Sequence, residues 1–257
     1  MSISKKIDLS EKIFIAGGSG MVGNSVYRIF KSSGYGSKTH NGKILKPNRK
    51  ELNLLDTEAV RKWFILNKPS VVILAAAKVG GISANATYPA DFLFQNLKIQ
   101  TNVIEASWET GVKRFLFLGS SCIYPKFAQQ PIKESSLLTG PLEATNEWYA
   151  IAKIAGIKLC QSLRKQYNFD AISLMPTNLY GTGDNYHPIN SHVMPSLIRK
   201  FCNALKFSSK EVSCWGTGNA LREFMHVDDL GKAILFALEN WDPADPNSPL
   251  DDNNEPL

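Results

Sequence analysis

Through the first two thirds of the chain, short and almost continuously apolar runs alternate with longer segments whose apolar positions recur at helical spacing. The short runs predict strands at Lys12–Ala16, Lys43–Lys46, Val71–Ala75, Arg114–Gly119 and Ala171–Met175, each rich in β-branched or aromatic residues and bounded by turn formers. Strands without polar alternation are buried on both faces, as in a parallel sheet. The longer segments predict helices at Met21–Lys31, Thr57–Leu66, Ala90–Glu109 and Trp148–Tyr167. Strand and helix in alternation predict an α/β fold, a doubly wound parallel sheet with helices on both sides.

Beyond Pro176 the rhythm breaks. Asn178 to Asn190 reads as loop, His192–Leu205 as a helix, the surroundings of Trp215 and Gly216 as a turn, and Val227–Glu239 as a last helix. The division expected is a nucleotide-binding domain over residues 1–177 and a small substrate lobe over 178–257, with 223–240 packing back on the first domain. Trp241 to Leu257 is rich in Pro, Asp and Asn and closes no recognisable element, so the C-terminal lobe is expected to be incomplete and turnover by the chain poor.

Composition narrows the class. A chain of 257 residues with 44% hydrophobic and 20% charged residues can build one full core and a small second lobe. Lys5 and Lys6 are followed by no apolar run of signal-peptide length, and nowhere do about 18 apolar residues follow one another. A soluble cytoplasmic protein without a membrane partner is expected. Cys122, Cys160, Cys202 and Cys214 are widely separated and form no C-x-x-C pair, so they read as reduced thiols with neither a metal site nor a disulfide framework. The formal charge of +6 is spread along the chain rather than gathered into a basic stripe, which argues against nucleic acid as a partner.

Gly17, Gly20 and Gly23 form G-x-x-G-x-x-G directly after the first strand and at the start of the first helix. In that place backbone N–H groups and the helix dipole meet the pyrophosphate of a dinucleotide, which makes the sheet one of the Rossmann type. At the end of the second strand an NAD-preferring site usually offers a carboxylate to the adenosine ribose. Here Lys46-Pro47-Asn48-Arg49-Lys50 stands instead, with no acid before Glu51. Arg49 is the candidate clamp for a 2′-phosphate, because a planar guanidinium matches phosphate oxygens in pairs. Read without context, Arg49 and Lys50 are a solvated loop. Asp56 suits either an adenine contact or the cap of the next helix.

Tyr149 and Lys153 stand four residues apart on a predicted helix and share one face. An ammonium beside a phenol is expected to lower the phenol's pKa and ease proton exchange with a substrate oxygen. Gly119-Ser120-Ser121 lies at the carboxyl end of the fourth strand, where open α/β sheets bind ligands, and places a hydroxyl where it can hold a carbonyl oxygen alongside Tyr149.

From about Ile13 to Asp229 the chain resembles the extended short-chain dehydrogenase/reductases, and within them the GDP-L-fucose synthase family. The stretches that carry the resemblance are Ala75-Ala76-Ala77-Lys78-Val79-Gly80-Gly81-Ile82, Gly119-Ser120-Ser121-Cys122-Ile123-Tyr124-Pro125, Tyr149-Ala150-Ile151-Ala152-Lys153, Met175-Pro176-Thr177-Asn178-Leu179-Tyr180-Gly181, Asn190-Ser191-His192-Val193 and Arg222-Glu223-Phe224-Met225-His226-Val227-Asp228-Asp229. The resemblance implies NADP(H) as cofactor and GDP-4-keto-6-deoxy-D-mannose as substrate, which is epimerised at C3 and C5 and then reduced at the C4 ketone. It implies that Ser120 and Tyr149 stabilise the C4 oxygen, that Cys122 and His192 exchange the α-carbon protons, that Tyr149 delivers the final proton and that Lys153 supports it. It further implies cofactor contacts from Gly17, Gly18, Ser19, Gly20, Met21, Val22, Gly23, Arg49, Leu54, Asp56, Ala76, Leu118, Gly119, Ser120, Ser121, Lys153, Pro176, Thr177, Asn178, Leu179 and His192. Lys200, Trp215 and Arg222 are the implied GDP-sugar contacts, and a homodimer is the implied assembly.

Each residue also has a plainer reading. Cys122 alone is a small buried hydrophobe, His192 a helix-start residue, Trp215 a packing aromatic and Arg222 a surface charge. His40, His187 and His226 have no motif around them and read as structural. The rival functions are another nucleotide-sugar epimerase or dehydratase of the same fold, and a catalytically idle NADP(H)-binding protein.

Overall fold

The apolar runs become the strands of a parallel sheet. The computed structural model describes residues 6–188, 190–214 and 216–243. In chain order the elements are β1 (Lys12–Ala16), α1 (Met21–Ser32), β2 (Lys43–Leu45), α2 (Thr57–Asn67), β3 (Val71–Leu74), α3 (Ile82–Thr87), α4 (Pro89–Glu109), β4 (Arg114–Leu118), α5 (Glu147–Tyr167), β5 (Ala171–Leu174), β6 (Asn178–Tyr180), α6 (Val193–Lys206), β7 (Phe224–His226) and α7 (Val227–Asn240). No described helix is long and apolar enough to cross a membrane.

The sheet has the order β2-β1-β3-β4-β5, with every neighbouring pair parallel. Side chains alternate across it. Phe14, Val72, Leu74, Phe115 and Phe117 enter one core with Phe64, Val103 and Ile157, from α2, α4 and α5. Ile13, Ile15, Val71, Ile73, Leu116 and Leu118 enter the other with Val26, Phe30, Leu230 and Ile234, from α1 and α7. Helices therefore cover both faces, which is why the strands tolerate so few polar positions.

The chain passes from β1 out to β2 and then crosses back to β3 on the other side of β1. This reversal opens a crevice between the carboxyl ends of β1 and β3, the place where doubly wound sheets bind ligands.

The helix α7 lies along α1. The Ser25 hydroxyl donates to the Val227 carbonyl at 3.0 Å, Arg28 pairs with Asp228, and Gly231 meets Ser25 so closely that a Cβ there would stand 2.9 Å from its Oγ. Arg114, at the start of β4, is buried to 1% exposure and bonds Asp170 and the carbonyls of Ala237 and Trp241, tying the end of α7 under the sheet.

The helix and strand expectations hold with shifts of a residue at the ends; β2 to β5 each stop one residue early. Three elements lie outside them. Asn178–Tyr180, expected as loop, forms β6 and pairs in parallel with β7, drawn from Phe224–His226. Neither strand has the length or apolar content to be read alone; each exists because the other is beside it. The short helix α3 starts on Gly81 without a side-chain cap and so lacks a polar start signal.

Candidate active site

The first loop sorts its glycines by what each must avoid. Gly17 has φ +86°, and a Cβ on it would lie 2.7 Å from the Ala76 backbone nitrogen; the ends of β1 and β3 are in van der Waals contact there. A Cβ on Gly23 would lie 2.2 Å from the Gly17 carbonyl oxygen, and one on Gly18 2.5 Å from the Lys46 Cβ. These three are required by the fold. Gly20 is different: it is exposed, has φ −79°, and its Cβ would meet only an ordinary contact at 3.5 Å. Nothing in the protein itself demands a glycine at 20, and the space beside it is open. Gly20 is also the N-cap of α1 and offers no side-chain cap, and no acidic residue occupies the first turn, leaving the helix start around Met21 and Val22 open to an anion. Ser19 is exposed on the same turn.

After β2, Asn48 organises a turn by accepting from Lys50 N–H at 2.9 Å while its own N–H donates to Glu51 Oε2 at 2.8 Å. Arg49 stands exposed at the tip of that turn. Asp56 is the N-cap of α2, its Oδ1 accepting from Ala59 N–H at 3.0 Å, so of its two readings the cap is the one this geometry displays. The Leu54 carbonyl is held by Asn102 Nδ2 at 2.8 Å.

The third group of residues surrounds the end of β4. Ser120 caps a single helical turn over Ser121–Ile123 and accepts from Cys122 N–H at 3.4 Å. Its hydroxyl lies near enough to the Cys122 thiol and the Tyr149 phenol to favour the ionised form of each. Lys153, one turn along α5 from Tyr149, is buried, and its ammonium donates to the Leu118 carbonyl at 2.6 Å and stands 5.7 Å from the Tyr149 ring centre. The approach of α5 to β4 depends on Gly156, where a Cβ would fall 2.5 Å from the Phe117 ring. Gly156 carries no sequence signal of its own, since a lone glycine within a helix pattern gives no hint of its partner.

Electrostatics at this cluster run against the sequence-based expectation. Burial raises the Tyr149 phenol well above its ordinary value, with Cys122 adding to the rise and only the Ser120 hydroxyl opposing it. The lowered phenol pKa expected from Lys153 is not found, because the same burial brings the ammonium itself down to about 8. Cys122 is also pushed up by burial, partly offset by Ser120 and Lys153, so its thiol stays protonated further into alkaline solution than a free one.

The rim continues through the segment after β5. Gly119 N–H donates to the Leu174 carbonyl at 2.9 Å and Ser121 N–H to the Pro176 carbonyl at 3.1 Å, clasping the ends of β4 and β5. Thr177 has a buried hydroxyl without a hydrogen-bond partner among the described residues, a donor free to meet a water or a ligand. Asn178 is fixed by two bonds to the Glu223 carbonyl, from its N–H at 3.2 Å and its Nδ2 at 3.0 Å, and Leu179 packs into the core behind it.

His192 is the exposed N-cap of α6. The loop before it touches the segment after β3, where Gly81 N–H donates to the Asn190 carbonyl at 3.4 Å, so His192 is tied to the carboxyl end of the sheet. Asp184, which no motif singles out, lies close enough for its charge to interact with His192. Lys200 donates to the Ser213 carbonyl at 2.8 Å, Arg222 is exposed, and Trp215 lies outside the described residues. His226 is a cap, its Nδ1 accepting from Asp228 N–H at 3.2 Å, and His187 Nδ1 accepts from Asn190 N–H at 3.2 Å.

A glycine-lined switch point and a Ser-Tyr-Lys cluster on the neighbouring strand end define a nicotinamide-dependent enzyme of the short-chain type. The chain belongs to the NAD dependent epimerase/dehydratase family, whose sequence profile matches residues 13–249. Its relatives include GDP-L-fucose synthase 1 of Arabidopsis thaliana, 57% identical over 93% of this chain and 72% of the relative, and the GDP-L-fucose synthase of Escherichia coli (strain K12), 52% identical over 89% and 70%. Among solved structures, the GDP-mannoheptose C4 reductase MlghC of Campylobacter jejuni, with NADP bound, matches at a TM-score of 0.80 and 33% identity, over 91% of this chain and 77% of that one.

Proposed function

We infer that the chain converts GDP-4-keto-6-deoxy-D-mannose to GDP-L-fucose, by epimerisation at C3 and C5 followed by NADPH-dependent reduction at C4. The observation that carries this reading is the meeting of Ser120, Cys122, Tyr149 and Lys153 at one strand end, in a chain more than half identical to two GDP-L-fucose synthases.

The residues present fit NADP(H). The room over Gly20, the uncapped start of α1 and the unpartnered Thr177 hydroxyl suit the pyrophosphate and the nicotinamide end, and exposed Arg49 suits a 2′-phosphate. When bound, the cofactor supplies the hydride that C4 receives.

The protons at C3 and C5 are acidic because both carbons flank the C4 ketone, and removing one places negative charge on the C4 oxygen. Ser120 and Tyr149 hold that oxygen. Cys122 and His192 act on opposite faces of the sugar ring, one withdrawing the carbon-bound proton and the other returning one from the far side, which inverts the centre. Tyr149 then gives its proton to the C4 oxygen as the ketone is reduced. Burial keeps the phenol protonated, which is the form a donor needs. Lys153 orients the phenol and holds charge beneath it.

The test is incubation with GDP-4-keto-6-deoxy-D-mannose and NADPH, with NADPH consumption and product configuration measured together. GDP-L-fucose and matched NADPH loss are expected; a product that keeps the D-manno configuration at C3 and C5, or no NADPH loss, overturns the reading. We further propose that α4 and α5 meet the same helices of a second copy, since Phe94 and Ile151 are exposed on this packed pair.

A further inference from the structure

We propose that Gly81 is a positioning residue that sets His192 over the active-site rim. The inference rests on the role of His192 in epimerisation given above.

Gly81 has φ −65° and ψ 178°, a conformation open to any residue, so the local backbone does not require glycine. What requires it is a neighbour from far along the chain. A Cβ at 81 would lie 2.7 Å from the Ser191 carbonyl oxygen, closer than such atoms approach, and that oxygen is backbone. The contact is reinforced by a hydrogen bond, in which Gly81 N–H donates to the Asn190 carbonyl at 3.4 Å. The Gly81 carbonyl is itself held, accepting from Asn85 N–H and from Asn85 Nδ2, each at 3.1 Å.

The residue after Ser191 is His192, which opens α6. The segment after β3 is thus a fixed surface against which the residue preceding His192 is seated. Tyr149, Lys153 and Ser120 are anchored separately, through α5 and β4. A methyl group at 81 displaces the His192 loop without touching those anchors, so proton exchange at C3 and C5 and hydride transfer to C4 are damaged unequally. Displacements on the order of 1 Å at a reacting group can cost about 100-fold in rate.

The experiment measures two rates for each variant: deuterium uptake from D2O at C3 and C5 of the keto sugar, and NADPH oxidation. Gly81→Ala is expected to lower deuterium uptake about tenfold or more while changing NADPH oxidation less than about threefold, the unepimerised ketone then being reduced in place of the epimerised one, an unequal effect that overall destabilisation does not produce. His192→Asn is the benchmark. If it leaves uptake intact, the assigned role of His192 fails and the inference with it; if it abolishes uptake while Gly81→Ala does not change it, the inference alone fails. Gly80→Ala is the local control, since a Cβ there would press on Ala84 and Phe92 at 3.0 and 3.1 Å and not on the His192 loop. A loss of uptake equal to that of Gly81→Ala would overturn the proposal. Should Gly81→Ala lose NADPH binding through misfolding, Asn85→Ala releases the side-chain hold on the Gly80 and Gly81 carbonyls and loosens the same junction without inserting an atom: a selective fall in uptake supports the proposal, and full uptake overturns it.

Discussion

At the scale of single residues, burial rather than neighbouring charge sets the chemistry of the site. The Tyr149 phenol is held protonated by its surroundings. Tyr149→Phe keeps the ring and removes the donated proton, and is expected to lower the rate of C4 reduction by about 100-fold or more, read from NADPH absorbance with substrate saturating. Lys153 gives a prediction about stability. Its ammonium titrates near 8 in the folded protein against 10.5 when free. Between those values the unfolded chain holds a proton that the folded one has released, so this group makes stability rise with pH across the window. Urea denaturation of the cofactor-free protein at pH 7.5 and 9.5 is expected to show that rise, and Lys153→Met to flatten it; an unchanged slope in the variant would assign the effect elsewhere. Ser120, Tyr149 and Lys153 were legible in sequence as residue types at the right spacing. Their pKa directions were not, because desolvation depends on what α5 packs against.

Among the elements, the turn from β1 into α1 separates fold from function within a single motif. Gly20→Ala adds a methyl group to an exposed position with no close neighbour, so unfolding free energy should stay within about 0.5 kcal/mol of the parent while NADPH affinity falls about tenfold. Gly23→Ala drives a Cβ into the Gly17 carbonyl, and it should lose both stability, by about 2 kcal/mol, and binding. Denaturant melts and NADPH fluorescence titrations of the two variants check the contrast, and equal stabilities would refute the division of roles. The G-x-x-G-x-x-G pattern announces the turn. Which glycine serves the ligand emerges only when Ala76, Lys46 and Gly17 are seen against one another.

Across the whole molecule, a buried cation ties the end of the last described helix to the sheet. Arg114 joins the start of β4 to Asp170 and to the end of α7, and Arg164 shares Asp170 at 2.7 Å. Arg114→Leu fills similar space but removes the bonds to the Ala237 and Trp241 carbonyls and leaves part of the Asp170 charge uncompensated, with an expected loss of about 3 kcal/mol in urea unfolding. A loss below about 0.5 kcal/mol would show the network to be dispensable. The sequence by itself determined the alternation of strand and helix, the parallel sheet, the phosphate turn and the Tyr-Lys pair. Each of these is written in a periodicity or spacing a few residues long, where chain connectivity alone brings the groups together. Only the tertiary structure decided the pairing of β6 with β7, the burial of Arg114, the seat of Ser191 on Gly81 and the protonation of Tyr149. These join positions tens of residues apart, and their energies come from exclusion of water and close contact, which exist only once the chain has closed around them.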